Sequence, residues 1–313
     1  MSCPTLQANF GRGLVFSCRL GDIQKRSKGP VMPIRIKSLD ETAVLHDVIL
    51  CDVWGVLHNG VSPFPFAVEA LKSARKRGQT VVLITNSPRP AGAVISQFET
   101  IGVDQDCFDD IVTSGDVTRR LVSDGPRKIF FLGPDRDRLL VDGLDVDLVP
   151  ADEAEAVLCT GLFDDETETP DAYADMLVGF HDRGLPLICA NPDVVVERGD
   201  RLVYCAGALA NAYQAMGGET RIAGKPHSPI YNEALSRAAT LRGRLDQRRI
   251  VAIGDGVPTD IRGALANHIP VIFVTRGVHA RDYYDDRRID EARLVSFLAA
   301  EDVRPDWWME WLA

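Results

Sequence analysis

The 313-residue chain has no apolar run approaching the roughly 20 residues that a membrane-spanning helix requires, which excludes that class of architecture. It lacks basic excess: 45 acidic side chains stand against 35 basic ones, for a formal net charge of −10. A sequence-independent nucleic-acid binder needs the opposite balance to meet phosphate backbones, so no nucleic-acid partner is expected. Cysteine is sparse and odd in number, seven in all, with no C-x-x-C pair, so neither a zinc site nor a disulfide framework is indicated. Cys51, Cys159 and Cys189 fall inside strand-like apolar runs, where cysteine is ordinarily a small buried hydrophobe; this usage fits a reducing cytoplasm. A Walker lysine loop and an EF-hand ligand pattern are also missing. What remains is a chain 45% hydrophobic and 26% charged, enough for a sizeable globular core.

Residues 1–31 differ from the rest. Arg12, Arg19, Lys25, Arg26 and Lys28 face only Asp22, without hydrophobic periodicity, so a flexible extension is expected there, with a transit peptide as the alternative. From residue 40 onward, strand, loop and helix signals repeat. Strands are predicted over 47–51, 80–84, 249–254 and 270–274, and a helix over 66–78, with apolar residues at helical spacing and a basic, glycine-terminated end. Between these lies a second series, with strands over 128–133, 156–161 and 185–190 and helices over 89–100, 116–122 and 171–182. The pattern predicts an α/β fold. Its core is a doubly wound parallel sheet formed by 32–87 and 204–313, with a second α/β unit, 88–203, inserted between.

Four polar clusters draw attention, since open parallel sheets bind ligands beyond the carboxyl ends of their strands. Asp52 directly follows the first strand, and a carboxylate so placed can attack phosphorus. Thr85-Asn86 ends the second and offers short donors suited to phosphate oxygens. Gly224-Lys225-Pro226 sets an ammonium at a turn. Gly254-Asp255, with Asp260 five residues after Asp255, supplies carboxylates suited to a hard cation. Singly, each cluster is as readily a helix cap or a turn.

Their order resembles the four-motif series of the haloacid dehalogenase (HAD) superfamily, over roughly residues 45–280. The inserted segment is similar to a class II cap. GVLHNG (55–60), LITNSPRP (83–90), ANPD (190–193) and GKPHSPIY (224–231) resemble class IIA, the NagD-like branch of nucleotide, sugar-phosphate and 4-nitrophenyl phosphatases. The resemblance implies a Rossmann-like core with an α/β cap. It also implies a Mg²⁺-dependent phosphatase that acts on a small metabolite, such as a sugar phosphate or nucleoside monophosphate, through an aspartyl-phosphate. Asp52 would be nucleophile and metal ligand, joined at the metal by the Trp54 carbonyl and Asp255, with Asp260 in support. Thr85, Asn86 and Lys225 would hold the transferred phosphoryl group, and Asn191, Pro192 and Asp193 would form the cap loop over the leaving group.

The chain departs from the family pattern at Trp54, where an acid-base aspartate usually stands. Tryptophan cannot transfer that proton. Three outcomes stay open: His58 replaces the lost group, the substrate carries a leaving group that needs no acid, or turnover is slow and the protein serves as a phosphometabolite sensor. His58 is equally a flap residue without chemical role. The aromatic tail, with Trp307 and Trp311 on one predicted helical face, is expected to dock on its own domain, a homodimer contact being the alternative.

Overall fold

The computed structural model describes residues 32–198 and 201–313; the expected extension over 1–31 lies outside them. The strands, in chain order, are β1 (Ile34–Arg35), β2 (Val48–Cys51), β3 (Thr80–Thr85), β4 (Asp110–Thr113), β5 (Lys128–Leu132), β6 (Asp147–Leu148), β7 (Ala156–Cys159), β8 (Leu187–Cys189), β9 (Val195–Arg198), β10 (Arg201–Tyr204), β11 (Thr220–Ile222), β12 (Ile250–Gly254), β13 (Val271–Val274), β14 (Tyr284–Asp285), β15 (Arg288–Ile289) and β16 (Trp307–Met309). Seven make a large sheet in the order β1-β16-β13-β12-β2-β3-β4, and every pairing in it is parallel. Five make a small parallel sheet in the order β11-β8-β7-β5-β6. Among the described residues no helix is long and apolar enough to cross a membrane.

Alternation within the strands explains why the large sheet is covered on both faces. Ile49, Cys51, Val81 and Leu83 point into one core with Val68, Leu71, Val94 and Phe98, which come from the helices Pro65–Lys76 and Ala91–Ile101. Val48, Leu50, Val82 and Ile84 point into the other, with Ile230, Tyr231 and Leu294 from the helices Ser228–Arg242 and Glu291–Ala300. The first of these helices shows its causes plainly: Pro65 opens it, Arg75 and Lys76 complement its carboxyl end, and Gly78 follows at φ +85°.

The sheets divide the chain at points other than those read from the sequence. β4 joins the large sheet although it lies within 88–203, and β11 joins the small sheet although it lies beyond 203. Both are short: Asp-Ile-Val-Thr and Thr-Arg-Ile hold too few apolar residues to signal a strand, and tertiary pairing decides them. The tail is corrected more sharply. Residues 307–309 form a strand, not a helix, so their period is two: Trp307 and Met309 face one core while Trp308, fully buried, faces the other. Trp311 rests on Phe64, with ring centroids 5.3 Å apart, so the tail docks on its own fold.

His46 is buried against Trp307, with ring centroids 5.5 Å apart, and neither ring nitrogen has a hydrogen-bond partner among the described residues. Burial, aided by the Arg249 charge, lowers its pKa from 6.5 to about 4. The unfolded chain therefore takes up this proton first as pH falls.

Two outcomes follow from this packing. Trp308→Ala, which empties the largest fully buried side chain, is expected to cost about 3–5 kcal/mol in denaturant unfolding. His46 lends stability that is present above about pH 6.5 and lost as pH falls toward about 4, on the order of 3 kcal/mol. His46→Phe should retain that part of the stability at pH 4.5, measured by the same unfolding curves.

Candidate active site

β2 and β12 lie side by side, with Cys51 opposite Ile253, so the residues that follow them emerge together at the carboxyl end of the large sheet. Asp52 donates its backbone N–H to Ile253 O at 2.8 Å, which fixes the start of its loop. One step further along, Asp255 leaves β12. A short π-helical turn over Val257–Ile261 then folds Asp260 back beneath Gly254. The turn is secured by Asp260 Oδ2, which accepts from Gly256 N at 3.2 Å and from Thr259 Oγ1 at 3.1 Å.

The result is a buried cluster. Carboxylate oxygens of Asp52, Asp255 and Asp260 lie within 4.8 Å of one another. Lys225, only 2% exposed, enters from the turn after β11 and donates through Nζ to Asp52 Oδ1 at 2.5 Å and to Asp260 Oδ1 at 2.7 Å. Glycines allow this crowding. A Cβ on Gly277 or on Gly55 would collide with Asp255 Oδ2, and one on Gly254 would sit 2.2 Å from the Asp260 side chain. Asp255 Oδ2 also accepts from Val278 N at 2.8 Å.

Three buried carboxylates against one ammonium leave negative charge uncompensated. Burial, and then the neighbouring Asp260, push the Asp52 carboxyl well above its usual range, while Lys225 works in the opposite direction. The same two causes raise Asp255 to about 7. Although burial opposes it, the pull of Asp260 and Asp52 holds the Lys225 proton more firmly than usual. An all-oxygen donor set with excess negative charge fits a hard divalent cation such as Mg²⁺. The residues present fit that group.

Of the other residues read from the sequence, Thr85 ends β3 and Asn86 follows it; both are buried, and Asn86 lies against the cluster's lysine turn. Thr85 Oγ1 accepts from Ser87 N at 3.3 Å. The Asn86 amide is fully engaged: Oδ1 accepts from Lys225 N at 2.7 Å, while Nδ2 donates to Lys225 O at 3.1 Å and to Asp193 Oδ1 at 2.9 Å. Asn86 thus ties the lysine turn to the loop Asn191-Pro192-Asp193 at the carboxyl end of β8. Within that loop Asn191 Oδ1 accepts from Asp193 N at 3.0 Å.

Trp54 is 48% exposed and lies across Gly60, where a Cβ would meet the indole at 2.3 Å. His58 is 1% exposed and packs edge-on against both Trp54 and Phe98, at 5.1 and 5.6 Å between centroids. Its Nδ1 accepts from Gly60 N at 2.8 Å, and burial lowers its pKa to about 4. The support of Asp255 by Gly277 and Val278 was not legible in the sequence; a glycine just after the β13 strand signal is the only trace of it.

Comparison with known proteins gives this arrangement its class. Residues 49–147 match the model of the haloacid dehalogenase-like hydrolases, and residues 222–300 match a HAD-hydrolase-like model. A crystal structure of a haloacid dehalogenase-like hydrolase from Brucella suis 1330 is 48% identical, covers 89% of this chain and 100% of its own, and superposes with a TM-score of 0.79. Among curated relatives, the D-glycerol 3-phosphate phosphatase of Mycobacterium tuberculosis is 28% identical over 252 residues, 75% of this chain. This chain spans 64% of that relative's length. The ribonucleotide monophosphatase NagD of Escherichia coli is 25% identical over 263 residues, 82% of this chain and 98% of its own. The chain belongs to the haloacid dehalogenase-like hydrolase family, and to its NagD-like, class IIA branch.

Because the charge excess favours a cation, Mg²⁺ is expected to raise the thermal unfolding midpoint, with a stabilisation of about 2.7 kcal/mol at a hundred times its dissociation constant. Asp255→Asn should abolish most of that shift, as read by calorimetry with and without chelator.

Proposed function

We propose that this protein is a Mg²⁺-dependent phosphatase that hydrolyses a small phosphorylated metabolite, such as a sugar phosphate or nucleoside monophosphate, through an aspartyl-phosphate on Asp52. The observation that carries the reading is the Lys225 ammonium bonded to both Asp52 and Asp260 at the carboxyl end of the large sheet. That contact fixes the Asp52 carboxyl and works against the burial that favours its neutral form, and it leaves a cation beside the position where a phosphoryl group meets it.

In this reading the Asp52 carboxylate attacks phosphorus in line with the leaving oxygen, while Lys225 offsets charge on the phosphoryl oxygens and Thr85 contributes a donor. Asp52, Asp255 and the Trp54 carbonyl, backed by Asp260, would hold Mg²⁺, which supplies Lewis-acid neutralisation of the same oxygens. Asn86 acts chiefly by holding the lysine turn, since its amide hydrogens are already bonded. The small sheet serves as the cap, with Asn191, Pro192 and Asp193 facing the leaving group. Cleavage of phosphoric esters in the curated relatives supports the reaction class.

A second reading rests on Trp54. It stands two residues beyond Asp52 and is half-exposed, and it cannot carry a proton. A site that closes on a phosphometabolite but releases product slowly would act as a sensor.

Phosphate release from a broad panel of phosphomonoesters separates the two. Release that requires Mg²⁺ and falls to background in Asp52→Asn is the expected result. No release from any ester, together with a phosphometabolite that still raises the unfolding midpoint, supports the sensor.

A further inference from the structure

An alkyl phosphate ester does not part easily from its alcohol unless the departing oxygen receives a proton, and the groups nearest the nucleophile cannot give one. Trp54 does not titrate usefully. His58 is sealed under Trp54 and Phe98, with Nδ1 already accepting from Gly60 N. Lys225 is bound by two carboxylates that hold its proton. Asp255 and Asp260 belong to the carboxylate cluster itself. Tyr231 is buried, and its hydroxyl is directed at Asp260 O at 3.4 Å.

One carboxyl near the cluster stands outside it. Asp193 lies on the loop that follows β8, and Asn86 joins it directly to the lysine turn. Oδ1 is committed to Asn86, whereas Oδ2 takes no hydrogen bond among the described residues. The loop is clamped from two sides: a Cβ on Gly224 would sit 2.7 Å from Pro192 Cδ, and one on Gly207 would sit 2.1 Å from Pro192 O. Gly207 N also donates to Asp193 O at 3.1 Å. A carboxyl with one anchored oxygen, one free oxygen and a rigid backbone is the geometry that proton transfer needs.

The geometry points to Asp193 as the general acid and base of this site, doing from the cap loop what position 54 cannot do from the nucleophile loop. The assignment rests on the phosphatase reading. In the first half-reaction the Asp52 oxygen bonds to phosphorus as the bond from phosphorus to the leaving oxygen breaks. That oxygen keeps the electron pair and takes the proton from the Asp193 carboxyl, leaving as the alcohol. In the second, water enters where the alcohol left and gives its proton to the Asp193 carboxylate. Its oxygen bonds to phosphorus, the bond to Asp52 breaks, and the electron pair returns to the Asp52 carboxylate. Burial favours the protonated form of Asp193 that the first step requires, although the Asn86 bond and the Lys225 charge oppose it.

The test compares an alkyl phosphate with 4-nitrophenyl phosphate, whose leaving group departs without a proton. Asp193→Asn keeps an oxygen that can accept from Asn86. It is expected to lower kcat on the alkyl ester by about 10²–10⁴-fold, and on the aryl ester by less than about tenfold. Equal losses on both esters, or no loss on the alkyl ester, would overturn the assignment. A second measurement needs no variant: across esters of graded leaving-group pKa, the parent should show a shallow dependence, and a steep one overturns the proposal. If neither ester releases phosphate in a metal-dependent manner, and Asp52→Asn matches the parent, the phosphatase reading itself fails.

Discussion

The contact on which the rest of this structure turns is the buried ammonium of Lys225 between Asp52 and Asp260. Coulomb attraction at this distance, inside a poorly solvated cluster, far exceeds that of any surface pair in the molecule. Yet it cannot settle the site, because Asp255 brings a third carboxylate within 4.8 Å of the other two. A buried charge cluster is tolerated only when it is compensated, and here the compensation is short by design of the donor set. The deficit is what turns a structural ion pair into a place that favours a cation.

The same lysine explains how two separate sheets come to share one site. Asp52 and Asp255 arrive from adjacent strands of the large sheet, but Lys225 arrives from the turn that leaves the last strand of the small one. Asn86 closes the circuit, with one amide bonded to the Lys225 backbone on both its N–H and C=O and to Asp193 across the gap. A Thr-Asn pair at a strand end reads as two phosphate donors; that the Asn86 side chain is also a joint is revealed only by the three-dimensional path of 191–193 and 224–226.

Much else was legible. The strands β2, β3, β12 and β13 are continuous apolar runs because both of their faces are covered, and runs of that kind are hard to mistake. The polar residues that end β2, β3 and β12 stood out for the same reason, as did Asp260 and the lysine turn, so the cluster was visible as a set before its geometry was known. What stayed hidden was whatever depends on neighbours. β4 and β11 have too little apolar content to declare themselves, and Trp307 reads as part of a helical face until pairing with β13 imposes a period of two. The closeness of Gly277 and Val278 to Asp255 is long-range packing that no local pattern encodes.

Trp54 packs within the loop that follows β2. Its indole covers Gly60, which has φ +86° and no room for a Cβ, and its edge meets His58, whose ring is fixed by the Gly60 N–H on one atom and by Phe98 beyond. These contacts pack the loop that follows Asp52 and leave the indole half-exposed. The loop 191–193 is fixed in the same way, packed against Gly207 and Gly224. The loop around Trp54 and the loop that carries Asp193 are thus held by one device, glycines at 60, 207 and 224 that leave no room for a Cβ between the packed segments.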